Sequence, residues 1–264
     1  MNLFVTCLIR KGFLVMQITS ILEKSGWWNT LRAGVNAVVD FIFPPNCLIC
    51  RAFVPGEAAI CDKCLSGIGL IEGPRCWRCG CPDTGIPDCP NCTGKAYAFQ
   101  RLITLADFTE EMRELVHALK YQGRTRVASV FGKSLGELAI EMCDLSNSAV
   151  IVPVPLHPSR ERERGYNQSG LFASAVAART GLPLAARALR RRVATDSQTK
   201  LDLMEREHNV AGAFEVKQSD TIRNRVVILV DDVVTTGATA NSCSRELLRA
   251  GASEVVVMAL ASPY

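Results

Sequence analysis

Two adjacent carboxylates, Asp231 and Asp232, follow the apolar run Val226-Val-Ile-Leu-Val230 and precede the small-residue stretch Thr235, Thr236, Gly237, Ala238 and Thr239. Side-by-side acids at the end of a buried strand can hold a diol or a hydrated Mg²⁺ ion. A turn of small residues entering a helix lets backbone N–H groups converge on a phosphate, and the helix dipole adds to that attraction. A phosphate cradle next to two carboxylates fits a phosphorylated sugar. The plainer alternative is one strand–turn–helix unit in which the acids and threonines serve only as turn and cap residues. The full order of strand, acid pair, Thr-Thr-Gly-x-Thr and helix is more restrictive than that unit requires.

The second group of chemically able residues is thiols. Nine of the twelve cysteines lie between Cys47 and Cys92, and eight of them form four Cys-x-x-Cys knuckles: Cys47 and Cys50, Cys61 and Cys64, Cys76 and Cys79, Cys89 and Cys92. Two-residue spacing lets both sulfurs of a knuckle face one ion, so four knuckles match two Zn²⁺ sites of four thiolates each. Sequential pairing of the knuckles gives two small ribbons, and an interleaved cross-brace is the other arrangement. Four thiolates leave no open position for water, so the zinc is structural. A stretch this short, punctuated by Pro45, Pro82 and Pro90, depends on metal for its folding energy. Cys81 is a ninth thiol, read as a spare. Disulfides are the rival use, and they would need an oxidising compartment.

Cations form the third group. The stretch Pro153 to Gln168 carries His157, Arg160, Arg162 and Arg164 after an apolar run, on the edge where α/β proteins place ligands. Arginine forks match phosphate oxygens, which favours Arg160 and Arg164 as ligands. The segment Arg187 to Asn209 is long, polar and irregular, as a lid over a site would be, and it contributes Arg192, Lys200 and Arg206.

These groups need a frame. Strands are expected at Leu102–Ala106, Ala149–Val154, Val226–Val230 and Glu254–Leu260, with an edge strand or hairpin at Val210–Val216. Val226 to Val230 lacks alternation, which suits a central parallel strand buried on both faces. Helices are expected after Thr109, whose cap is reinforced by Glu110 and Glu111, then over about residues 126–143 and 168–180, and finally after Thr239 up to Gly251. In the first of these helices His117 reads as structural. With 264 residues, 48% hydrophobic and 21% charged, the chain is globular. Its net charge of +4 does not by itself make a nucleic-acid binder. The expected division is an extension with an amphipathic helix over residues 1–43, a zinc-binding region over 44–95 and an α/β domain over 96–264. Residues 1–15 read as dispensable, with Met16 a candidate start. Arg10 and Lys11 interrupt the apolar run Leu3 to Ile9, which carries no basic n-region, and no segment has the roughly 20 apolar residues of a membrane span. The expected location is cytoplasmic.

On the four knuckles, VPVPLHPSRERERGYNQ, SQTKLDLMEREHNV and VVILVDDVVTTGAT, the chain resembles the ComF family. These are amidophosphoribosyltransferase-like proteins of the type I phosphoribosyltransferase superfamily with an N-terminal double zinc ribbon. The resemblance covers about residues 30–264. It implies an α/β, Rossmann-like parallel sheet, a flexible hood at the basic segment Arg187 to Asn209, and binding of phosphoribosyl pyrophosphate with Mg²⁺. In that family the acids matching Asp231 and Asp232 contact ribose hydroxyls, the Thr235–Thr239 loop holds the 5′-phosphate, and the loop after the first core strand binds pyrophosphate. Some purine-salvage relatives carry an Asp base where this chain has Thr235, so their base-assisted reaction is not expected here. The implied role is in competence and the use of imported DNA. Two functions stay open at this point. One is Mg²⁺-dependent phosphoribosyl transfer. The other is a non-catalytic sensor and adaptor whose ribbon, with Trp77 between Arg75 and Arg78, contacts single-stranded DNA or a DNA-uptake helicase. A homo-oligomer is compatible with either.

Overall fold

The computed structural model describes residues 46–54, 59–71, 73–82, 89–143, 145, 148–193 and 212–263. The expected N-terminal helix, Met16, and the cations Lys200 and Arg206 lie outside the described residues. The chain divides into two compact units, Met1–Cys47 with Ala52–Ala58, and Leu48–Arg51 with Ala59–Tyr264. In the first, Asn46 bridges Phe53 in antiparallel fashion and the Cys47 amide donates to Ala52 O at 2.8 Å.

The second unit is built on a parallel sheet of four strands: β1 (Arg101–Asp107), β2 (Ala149–Pro153), β5 (Val226–Val233) and β6 (Glu254–Ser262), in the order β1-β6-β5-β2. Its register places Val227 opposite Val150 and Val255, and Leu229 opposite Val152 and Val257. β5 and β6 are central and buried along nearly their whole length, which explains their unbroken β-branched and aliphatic composition. Edge strand β2 is extended by Pro183–Ala185, where Ile151 N donates to Pro183 O and Ala185 N to Ile151 O.

Helices connect and cover the sheet: α1 (Asp62–Gly67), α2 (Glu110–Tyr121), α3 (Arg126–Met142), α4 (Pro158–Arg164), α5 (Gln168–Thr180) and α6 (Ala238–Arg249). Thr109 caps α2 as its spacing predicts, accepting from Met112 N. α5 packs on β2, β5 and α3. The α3–α5 approach is close because Gly132 and Gly136 face it. A Cβ at Gly132 would lie 2.4 Å from Ala175 Cβ, and one at Gly136 would lie 2.5 Å from Arg179 Cβ. α6 lies against β5, β6 and a short strand, β4 (Phe214–Val216), burying Ala240, Cys243 and Leu247 in one cluster with Val227, Leu229, Val255 and Val257.

Three differences from the expected elements bear on the site. β5 runs on to Val233, so both acids lie within the strand rather than after it. The segment read as a charged loop is the two-turn helix α4. His157 caps it by accepting from Ser159 N, Pro158 occupies the first turn, and Gly165 ends it with Arg162 and Arg164 in the last turn. Part of the expected hood is regular: β3 (Leu189–Arg191) pairs antiparallel with β4 (Phe214–Val216). The expected strand from Val210 is the shorter β4.

Candidate functional site

The cysteine knuckles pair in chain order. The sulfurs of Cys47, Cys50, Cys61 and Cys64 lie within 4.8 Å of one another, and so do those of Cys76, Cys79, Cys89 and Cys92. Separations of 3.7 Å for Cys50–Cys61, 3.8 Å for Cys76–Cys92 and 3.6 Å for Cys79–Cys89 match the roughly 3.8 Å edge of a tetrahedron with Zn–S bonds of about 2.3 Å. Both donor sets fit Zn²⁺, and both are closed. Cys81 is outside the second quartet, but its buried sulfur comes within 3.2 Å of Cys89 Sγ, so the spare thiol borders that site.

At the C-terminal ends of β2 and β5 lies a cleft of about 230 Å³. The acids come from β5, Arg160 and Arg164 from α4, Gln168 and Ser169 from the first turn of α5, Arg191 from β3, Lys120 from the last turn of α2, and Thr239 from the first turn of α6. Asn167 joins two of these elements. Its Nδ2 donates to Val154 O at 3.0 Å, past the end of β2, and its Oδ1 accepts from Ser169 N at 3.1 Å, capping α5.

Both acids are buried and both are engaged. Asp231 Oδ1 accepts from Ser169 Oγ at 2.8 Å and from Asp232 N at 2.8 Å. Asp232 Oδ1 accepts from Gln168 Nε2 at 3.2 Å, while its Oδ2 forms an ion pair with Lys120 Nζ. Burial raises the Asp231 pKa, and the neighbouring Asp232 charge pushes it further, to about 7. Burial would raise Asp232 too, but the Lys120 ammonium and the hydrogen bonds from Gln168 and Asp231 outweigh that, and its carboxyl is held below the usual range. Lys120 shows the reciprocal effect: burial opposes its charge, yet the Asp232 carboxylate raises its pKa. At neutral pH the pair therefore carries about half a proton, on Asp231, while Asp232 stays ionised.

Most of the expected residues converge here, though not all. Asp231, Asp232, Arg160, Arg164 and Thr239 line the cleft. Thr235, Thr236, Gly237 and Ala238 form the turn that leads into it. Gly237 caps α6 at φ +79°, a conformation that favours glycine, and Thr236 Oγ1 accepts from Ala238 N at 3.3 Å. Arg192 does not line the cleft. Its exposed side chain pairs with Glu215 at 3.8 Å, and strand alternation presents Arg191 to the cleft instead. His157 serves as a helix cap, and His117 lies exposed beside the Tyr121 ring, centroids 4.9 Å apart.

Lys120, Arg191, Gln168 and Ser169 escape a reading of the sequence alone. One had a signal: Met112, Val116 and Lys120 form a row of four-residue spacing on α2, so a cation occupies a place where the stripe calls for an apolar residue.

Residues 38–93 match the double zinc ribbon domain. The chain is 32% identical over 223 residues to the DNA utilization protein YhgH of Escherichia coli K12, covering 82% of this chain and 96% of that protein. It is 28% identical over 223 residues to competence protein F of Haemophilus influenzae, with the same coverage. The chain belongs to the ComF/YhgH family, and it combines an N-terminal cysteine-rich zinc ribbon region with a four-stranded parallel sheet of α/β type. Glutamine phosphoribosylpyrophosphate amidotransferase from B. subtilis superposes on 50% of this chain and 26% of its own, at 23% identity and TM-score 0.34, too slight a likeness to argue from. Among the described residues no helix is long and apolar enough to cross a membrane.

Proposed function

We propose that this protein binds phosphoribosyl pyrophosphate with Mg²⁺ in the cleft at the end of β5 and acts in competence and the use of imported DNA. The observation that carries the reading is the convergence of Asp231 and Asp232 with Arg160, Arg164 and Arg191 around one cleft reached by the first turn of α6. Carboxylates accept hydrogen bonds from the ribose hydroxyls. Backbone amides of the Thr235–Thr239 turn hold the 5′-phosphate at a helix N-terminus. Arg160 and Arg164 take the pyrophosphate through forked hydrogen bonds, and Lys200 and Arg206 belong to the same charge from outside the described residues. Bound Mg²⁺ neutralises phosphate oxygens of the ligand, and two buried acids facing a polar cleft suit a ligand that arrives with a divalent ion. The role in DNA use is taken from the functions named for the two relatives above.

The site suits phosphoribosyl transfer. The bond from C1′ to the pyrophosphate oxygen breaks, its electron pair leaves with the pyrophosphate, and an acceptor nucleophile forms the new bond and yields its proton. The protein's share is positioning, neutralisation of the leaving group and exclusion of water. The test is calorimetric titration of phosphoribosyl pyrophosphate with Mg²⁺ into wild type and into Asp231→Asn/Asp232→Asn. The double variant is expected to fold with both zinc ions and to lose binding by at least about a hundredfold, roughly two charge-assisted hydrogen bonds. Undiminished affinity refutes the assignment.

One observation favours a second reading, a sensor and adaptor without turnover that holds single-stranded DNA or a DNA-uptake helicase on its ribbon. Trp77, next to the knuckle cysteine Cys76, is 60% exposed with the Arg78 guanidinium 5.2 Å from its ring centroid. Such a pair can stack on an unpaired base. Pyrophosphate exchange with a panel of bases, run beside salt-dependent single-strand binding, separates the two. Turnover with one base supports transfer, and salt-sensitive binding without turnover supports the adaptor.

A further inference from the structure

Lys120 stands at a boundary. With Tyr121, Arg160 and Arg164 it lines both the 230 Å³ cleft that holds the acids and an adjoining pocket of about 170 Å³, which is completed by Gly123, Glu163 and Tyr166. In the structure its ammonium is paired with Asp232 Oδ2 on the side of the acids. The backbone beneath it is fixed, since the Tyr166 hydroxyl donates to Leu119 O and ties the end of α2 to the turn between α4 and α5. The movable part is therefore the four-carbon side chain, which is 25% exposed against 5% for Asp232.

Two demands meet at that carboxylate. A ribose hydroxyl approaching Asp232 must compete for an oxygen the ammonium already occupies, because Gln168 holds the other one. A displaced ammonium has room in the adjoining pocket, but there it meets Arg160 and Arg164. Of these, Arg160 is only partly neutralised by Glu163 at 3.2 Å. Three cations gathered without an anion repel one another, whereas three cations around a pyrophosphate are matched. The lysine is stable on one side only while the site is empty, and on the other only once a polyanion is present. A ligand can drive such a change to the extent that it binds the two arrangements unequally.

We propose that Lys120 is a switching counter-ion: it neutralises Asp232 in the free protein and passes to the pyrophosphate end, beside Arg160 and Arg164, when the phosphoribosyl ligand binds. This rests on the phosphoribosyl reading of the cleft. It adds a ligand-binding residue from outside the two loops and the hood, and it assigns that residue a different partner in each state.

The test uses the full-length, zinc-loaded protein and two half-ligands, inorganic pyrophosphate with Mg²⁺ and ribose 5-phosphate. Both are titrated at about pH 8.5, where carboxylates with moderately raised pKa values are ionised. Lys120→Met is expected to weaken pyrophosphate at least about tenfold, the loss of one charge-assisted contact, while ribose 5-phosphate binds as well as before or better. Lys120→Arg restores pyrophosphate binding to within a few-fold. If Lys120→Met does not fold, Lys120→Gln carries the same comparison. A purely structural lysine would weaken both probes alike or neither, and either result overturns the assignment while leaving the phosphoribosyl reading in place. Failure of wild type to bind either half-ligand removes that reading itself.

Discussion

Gln168 joins the two ends of the cleft: its Nε2 donates to Asp232 Oδ1 at 3.2 Å, and its Oε1 accepts from Arg164 Nη1. Arg164 in turn lies 5.4 Å from the Tyr121 ring centroid, next to Lys120. An acid assigned to ribose and an arginine assigned to pyrophosphate thus share one buried amide. Gln168→Leu keeps much of the volume and removes both hydrogen bonds. It is expected to cost about 1–3 kcal/mol of stability, because Asp232 loses a partner in a buried setting, and to weaken phosphoribosyl pyrophosphate by about tenfold. Denaturant unfolding and calorimetry measure the two effects. Unchanged ligand affinity would mean that the link is structural only.

The acid pair predicts a pH dependence of definite sign. Asp231, with a folded pKa of about 7 against an ordinary value of 3.8, binds its proton more tightly folded than unfolded. Its contribution to stability is therefore fully present below about pH 4 and is lost as pH rises through about 7. Asp232, held below the usual range, works in the opposite sense, contributing above the ordinary carboxylate pKa and losing that contribution as pH falls through its depressed one. Asp231→Asn should accordingly gain stability relative to wild type between about pH 5 and 8, read as the difference between the two unfolding curves. A gap that does not widen with pH contradicts the raised Asp231 pKa.

The same carboxyl should register ligand binding as proton release. Ribose hydroxyls need an ionised acceptor, so binding favours the deprotonated form and lowers the Asp231 pKa. At about pH 6 up to one proton should leave per ligand bound, falling towards zero above about pH 8, with affinity rising up to tenfold per pH unit below neutrality. Titrations in buffers of different ionisation enthalpy count the protons directly. Proton uptake would contradict the assignment.

Two closed thiolate quartets predict two zinc equivalents per chain and independent loss. Cys64→Ser should bring metal content to about one equivalent and leave the second site resistant to mild chelation, and Cys79→Ser should do the converse. Elemental analysis with chelator challenge reads both. Loss of half of each site from a single substitution would point to an interleaved arrangement, contrary to the sulfur positions.

The seam between α3 and α5 sets where Gln168 and Ser169 stand. Gly132→Ala introduces a Cβ 2.4 Å from that of Ala175, an overpacking expected to cost about 1–3 kcal/mol. Ala175→Gly should recover part of that cost in a double-mutant cycle, since the two changes share one contact. Additive effects would show that the strain is relieved elsewhere.

The parts of the site that can be read from the sequence are those contiguous in the chain. β5, its acids and the turn to α6 form one unbroken stretch, and each cysteine knuckle carries its own spacing. What stays hidden depends on packing. Lys120 and Gln168 stand 112 and 64 residues before Asp232 in the chain, and only tertiary packing brings them to it. Arg191 and Arg192 are equivalent by composition, and only the register of β3 against β4 sends Arg191 to the cleft. α4 escapes a search for periodicity because it has no apolar stripe. Its caps hold it, together with the i,i+3 pair of Arg160 and Glu163.

The most direct measurement is a crystal structure of the protein with phosphoribosyl pyrophosphate and Mg²⁺. The account predicts ribose hydroxyls within hydrogen-bonding distance of Asp231 and Asp232, the 5′-phosphate on the amides of Thr235 to Thr239, and Lys120 turned from Asp232 towards the pyrophosphate. A ligand seated elsewhere, with Lys120 still paired to Asp232 and the turn before α6 vacant, would contradict it.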